Sequence, residues 1–227
     1  MHIEPGLVTA PKIFFSYATA AAASAYALKL TWDAIGEKGL ASVVTRCVIT
    51  TALVFCFFEV GPHYPVGISE VHFIFGSTLF LIFGAGPAAV GLALGLLCQG
   101  LFFEPQDLPQ FGMNVTTLLV PLLGLSALAK LIIAANTPYV DLKYRQAFAL
   151  STAYQGGIVA WVAFWALYGR GFGAENIHEI AAFGGAYMLV VLVEPLADLA
   201  VLAVAKTLRG MSNSGLFTPR LHNPEAT

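Results

Sequence analysis

Apolar residues gather in long runs separated by short polar stretches, at about residues 13–32, 42–60, 71–86, 87–103, 114–135, 147–168 and 180–205. A bilayer-crossing helix needs about 20 mainly apolar residues. The pattern therefore predicts an all-α integral membrane protein with about seven transmembrane helices. The third and fourth runs belong to one stretch, Val71 to Phe103, which contains no Asp, Glu, Lys or Arg and is interrupted only by Gly84-Ala85-Gly86-Pro87. Gly and Pro together mark a turn. Each half has about 16 residues, about 24 Å of helix against a hydrocarbon core of about 30 Å. With the turn at one face, the opposite ends near His72 and Phe103 are expected to lie recessed beneath the other.

Composition agrees with this reading: 58% of the 227 residues are hydrophobic and 11% charged, with a mean hydropathy of +0.77. We expect a single membrane domain over residues 1–227: an N-terminal hook (1–12), a helical bundle (13–206) and a cytoplasmic tail (207–227). Nine of the eleven Lys and Arg residues flank alternate ends of the runs, leaving Lys12 and Arg170 on the other side. By the positive-inside rule the N-terminus lies outside and the C-terminus in the cytoplasm, in a multi-pass protein of the cytoplasmic (inner) membrane. The outer side then carries Glu4, Glu59, Glu70, Glu104, Asp107, Glu175 and Glu179 with His2, His63, His72 and His178, a rim that attracts cations. A net charge of −2 with no basic run argues against a nucleic-acid partner. Cys47, Cys56 and Cys98 lie in apolar stretches without CxxC spacing and are read as packing residues.

The chemistry begins at residue 1. MHIEPGLVTAPK lacks the basic and apolar regions of a signal peptide, and the large His2 is expected to leave Met1 in place with a free α-amine. The amine of Met1, the peptide nitrogen between residues 1 and 2 and the imidazole of His2 then form one chelating strip. Binding requires deprotonated nitrogens, and a further imidazole completes a plane of four. Such tetragonal nitrogen sites suit Ni²⁺ and Co²⁺ better than Zn²⁺, Mg²⁺ or Ca²⁺. Gly6 and Pro11 let the segment fold back into the bundle. His72, an ionisable group at the edge of the membrane, is the preferred fourth ligand. His63, in the loop Gly61-Pro62-His63-Tyr64-Pro65, is a secondary candidate, a ligand on the metal's way in. His178 and His222 have no partner at ligand spacing.

These residues resemble the CbiM/NikM family, the substrate-capture (S) components of cobalt and nickel energy-coupling-factor transporters. Three islands carry the likeness: Met1-His2-Ile3 with Glu4-Pro5-Gly6; Ser69-Glu70-Val71-His72 leading through Gly76 to Gly86-Pro87; and Gln99-Gly100-Leu101-Phe102-Phe103 with Phe111-Gly112-Met113-Asn114. The resemblance implies metal ligation by Met1, His2 and His72, with Gln99 and Asn114 holding the folded-back N-terminus. It implies Co²⁺ or Ni²⁺ as transported ligand, no organic cofactor, and separate partners: a transmembrane coupling (T) subunit, cytoplasmic ATPase (A) subunits and a small helper membrane protein. The chain departs from the family's usual turn, since Pro5 follows Glu4 and Leu7-Val8-Thr9 replaces an aromatic-Leu-Pro continuation. No GxxxxGK[ST] loop occurs, so ATP hydrolysis falls to other chains. Small residues on the first helix, Ala18, Ala22, Ser24 and Ala25, suit either internal packing or close contact with such a partner.

Two other readings stay open. A self-sufficient metal permease needs a polar relay at membrane depth, for which Glu194 and Asp198 in the last helix are the clustered acids; their plainer reading is a solvated cytoplasmic helix end. An intramembrane metalloenzyme using His2, His63 and His72 around Zn²⁺ needs an activated water and a general base. His178-Glu179 continues Ile180-Ala181-Ala182, so no HExxH motif forms.

Overall fold

The computed structural model describes residues 3, 6–208, 210 and 214–223. Among the described residues there are eight α-helices and one β-hairpin, with short 3-10 turns between them: α1 (Ala10–Lys38), α2 (Leu40–Glu59), β1 (His63–Val66), β2 (Ser69–His72), α3 (Gly76–Phe83), α4 (Ala85–Phe102), α5 (Phe111–Ile132), α6 (Tyr144–Arg170), α7 (Ala174–Met188) and α8 (Glu194–Thr207). Among the described residues, five helical runs are long and apolar enough to cross a bilayer: Leu40–Glu59, Ala85–Phe102, Pro105–Ile132, Tyr144–Arg170 and Ala174–Thr207. The α1 helix is long but carries Lys12, Lys29, Asp33, Glu37 and Lys38, which dilute its hydropathy.

The stretch expected to form the third full helix divides instead. Residues 69–72 pair with 63–66 as an antiparallel hairpin, His63 opposite His72, and only Gly76–Phe83 is helical. At eight residues α3 is about 12 Å long, and all of it but Thr78 is buried. Backbone that is neither long helix nor barrel is tolerated at membrane depth where protein surrounds it. The expected break is present: Gly84 adopts φ +86 and separates α3 from α4.

Small residues set the helix spacing. On α4, a Cβ added at Gly91 would lie 2.4 Å from Thr50, and one at Gly95 would lie 2.6 Å from Val54, so α2 and α4 touch nearly backbone to backbone. The Thr50 hydroxyl adds a hydrogen bond to the Pro87 carbonyl (2.8 Å) across that contact. Between α5 and α6, Gly157 faces Pro121 and Trp161 Nε1 donates to Thr116 Oγ1 (3.0 Å).

The bundle has two distinct ends. At one, the N-terminal segment lies on the hairpin and the C-terminus of α6: Leu7 and Val8 are buried, and Lys12 Nζ donates to the carbonyls of Tyr168 (2.7 Å) and Gly169 (3.3 Å), placing a cation at the negative end of a helix. At the other end, buried Arg46 donates to the Phe83 carbonyl (2.8 Å). Part of the expected tail returns there, with the Thr218 amide on the Ile82 carbonyl (2.9 Å) and Ser42 on the Gly215 carbonyl. A polar chamber of about 430 Å³ opens beside them, lined by Asp33, Glu37, Arg46, Lys130, Tyr139 and Arg220. Burial there pushes the Tyr139 phenol above its ordinary value.

Candidate metal-capture site

The hairpin exists because Gly67, at φ +60, lets residues 66–69 reverse direction, and because a Cβ there would strike the Glu179 carbonyl of α7 at 2.5 Å. The turn is thereby pressed against α7. Strand alternation puts Glu70 and His72 on one face, and His72 Nε2 lies 2.9 Å from Glu70 Oε2. His72 is 1% exposed. Its ring stacks on that of His63 (centroids 5.3 Å apart, planes at 17°) and takes the edge contact of Phe58 (5.5 Å). His63 is exposed, with Nδ1 3.3 Å from the Gly61 carbonyl. The two imidazoles expected to act in succession are therefore neighbours, one facing solvent and one enclosed.

Ile3 ties the N-terminal segment to this pair. It is wholly buried, forms an antiparallel bridge with Ser69 at the start of β2, and its backbone N–H donates to Asn114 Oδ1 (3.0 Å). Asn114, on the first turn of α5, is 1% exposed, and Gln99, near the end of α4, is 3% exposed. Asn114 thus accepts a hydrogen bond from the N-terminal segment. Met1, His2 and Glu4 lie outside the described residues. Among the described residues, no group of three His, Cys, Asp or Glu is arranged to hold a metal ion.

Other candidates take plainer places. His178 is exposed on α7, and Glu179 pairs with Arg170 (2.7 Å). His222 meets the Phe217 ring. The cysteines are not core packing residues: Cys56 is exposed, Cys47 and Cys98 are half-buried, and all three are free thiols. Ala18, Ala22 and Ala25 face outward, while Ser16, Ala20, Ala23 and Ala27 form the buried face of α1.

The reading of Glu194 and Asp198 as a solvated helix end is corrected. Both are completely buried. Asp198 accepts hydrogen bonds from Ser77 (2.9 Å) and Thr78 of α3, and Glu194 accepts from Ser151 (2.6 Å) and Gln155 of α6. The physical reason is that α8 packs against α3 and α6, so its acids face the bundle. Proximity in sequence could not reveal these partners, which lie 39 to 121 residues away.

Two solved structures share the fold. A crystal structure of a transition metal transporter aligns with TM-score 0.70 and 16% identity, covering 92% of this chain and 94% of that one. A crystal structure of a truncated transition metal transporter aligns with TM-score 0.67 and 18% identity, covering 92% and 99%. No curated protein matches the sequence. Residues 2–211 match the family described as the cobalt uptake substrate-specific transmembrane region, CbiM. With this match across most of its length, the chain belongs to the CbiM family of cobalt-uptake membrane proteins.

Proposed function

We propose that the chain is the substrate-binding component of an ATP-driven cobalt/nickel uptake transporter, taking Co²⁺ or Ni²⁺ from outside the inner membrane through Met1, His2 and His72. The observation that carries this reading is the pinning of Ile3. Its bridge to Ser69 and its hydrogen bond to Asn114 hold residue 3 beside the strand that ends in buried His72. Met1 and His2 are joined directly to this pinned residue in the sequence. Three nitrogens from Met1 and His2 with one from His72 make a four-nitrogen plane suited to Ni²⁺ or Co²⁺.

The helices run alternately between the two ends, with α7 and α8 together forming the last passage. Of the cationic residues, Lys38, Arg46, Lys130 and Lys206 belong to the end where the tail returns, and Lys12 and Arg170 to the hook end. This favours an outer hook and an inner tail. A coupling subunit and ATPases supply the energy, and the outward Ala18, Ala22 and Ala25 face of α1 suits close approach by a partner helix.

The test is metal titration of the native chain against a variant with one residue added before Met1. The extension moves His2 out of chelating register and is expected to abolish tight Ni²⁺ and Co²⁺ binding; unchanged affinity would refute the reading. The burial of Glu194 and Asp198 also favours testing transport by the chain alone, since nucleotide-free uptake into liposomes would establish a permease.

A further inference from the structure

The polar cluster between α3, α6 and α8 includes none of the residues named for metal capture. Glu194 and Asp198 sit one helical turn apart with no exposed surface, inside a helical run long and apolar enough to cross the membrane. The ion pairs of the described residues involve neither acid. Two adjacent carboxylates without a cation, in a low-dielectric interior, are among the costliest arrangements a protein can hold.

Hydrogen-bond inventory distinguishes the two. Both oxygens of Asp198 accept a bond, Oδ2 from Ser77 and Oδ1 from Thr78. Glu194 Oε2 accepts two, from Ser151 Oγ and Gln155 Nε2, whereas Glu194 Oε1 is buried with no donor. The amide of Gln155, wholly buried and already joined to Glu194 through its nitrogen, holds a second orphan, Oε1. Ser77 lies against both acids, but its single hydroxyl hydrogen is committed to Asp198. Each of these two linked side chains thus holds one buried acceptor without a donor.

We infer that Glu194 is a proton-binding site: it carries a hydrogen on Oε1, directed to Gln155 Oε1, while Gln155 Nε2 donates back to Glu194 Oε2. The acid and the amide then close a two-point ring that joins α8 to α6. One proton satisfies both orphaned acceptors and removes one of the two buried charges. Asp198 keeps the remaining charge, held by its two hydroxyl donors.

The titratable groups around Glu194 are few. Asp198 lies on its own helix, Tyr154 on α6 and Tyr187 on α7, both within electrostatic reach; α3 contributes the hydroxyls of Ser77 and Thr78. At the far end of α8, Lys206 is engaged with Asp141 (2.6 Å). Tyr154 and Tyr187 are fully buried, and their hydroxyls also lack partners.

The experiment is infrared spectroscopy of the full chain in lipid nanodiscs at neutral pH, with isotope-labelled glutamate carboxyl carbons, in potassium and in sodium buffer. A protonated-carboxyl stretch that shifts with the glutamate label, is the same in both salts and is lost in Glu194→Gln is the expected result. The Gln side chain can make the same two-point ring with Gln155, so this variant should keep the wild-type melting temperature. Absence of a labelled protonated band overturns the proposal. So does a band present in potassium and lost in sodium, which would make the occupant a metal cation. Failure of Glu194→Gln to fold also overturns the proposal, because this side chain can make the same two hydrogen bonds with Gln155.

Discussion

Replacing Gly169 by Ala tests whether the docked N-terminal segment is the metal-competent state. Gly169 lies in the last turn of α6, and a Cβ there would stand 2.1 Å from the Leu7 carbonyl oxygen and 2.9 Å from its carbonyl carbon. The obstacle is backbone on both sides, so rotamer change gives no relief, and the segment carrying Leu7 must retreat by about 1 Å. Such overpacking costs about 1–3 kcal/mol. Because Leu7 belongs to a terminal segment and α6 is held by the whole bundle, the strain is expected to fall on docking of the hook. Affinity scales with the fraction of molecules in the competent state, so Ni²⁺ and Co²⁺ binding should weaken by up to about 5- to 150-fold. Isothermal titration measures this directly. The control is Gly156→Ala in the same helix, where an added Cβ meets nothing within 4 Å; it should leave affinity unchanged and stabilise the helix by up to about 1 kcal/mol. Equal affinities in wild type and Gly169→Ala would show that docking of residues 3–8 does not govern capture.

Asn114→Ala removes the acceptor for the buried Ile3 N–H and should cost about 1–3 kcal/mol of hook docking, with Asn114→Asp, which keeps an acceptor, recovering most of the metal affinity in the same titration. His72→Ala should weaken Ni²⁺ binding by more than about 100-fold. His63→Ala should leave equilibrium affinity within a few-fold and slow association in stopped-flow measurements, since His63 is the exposed member of the stacked pair. Gly91→Ala places a methyl 2.4 Å from Thr50 and should lower the thermal midpoint in detergent by roughly 2–12 °C, without altering metal affinity in the molecules that remain folded.

Much of this was readable from the chain. The apolar runs give the long helices because a bilayer leaves the backbone few alternatives, and Gly84 to Pro87 marks the division between α3 and α4. The hairpin was missed because residues 69–75 are largely apolar, and a short apolar stretch reads equally as strand or helix; Gly67 beside Pro65 was the available signal. Within the site, His72 was legible as an isolated ionisable residue in a charge-free run. Glu70, which meets it at 2.9 Å, could have been noticed from its spacing of two, but only on a strand. The burial of Glu194 was not legible, because a carboxylate in the last apolar run reads the same whether it faces lipid headgroups or Ser151 and Gln155.

The bond between Ile3 and Asn114 also sets an order of events during synthesis. Residue 3 is made before its hydrogen-bond acceptor, which follows 111 residues later. At about 5–20 residues per second, the N-terminus waits roughly 5–20 s before α5 can receive it. The segment carrying residue 3 is therefore made well before it can be placed, and a nascent chain lacking α5 cannot yet hold residue 3 where the mature protein does.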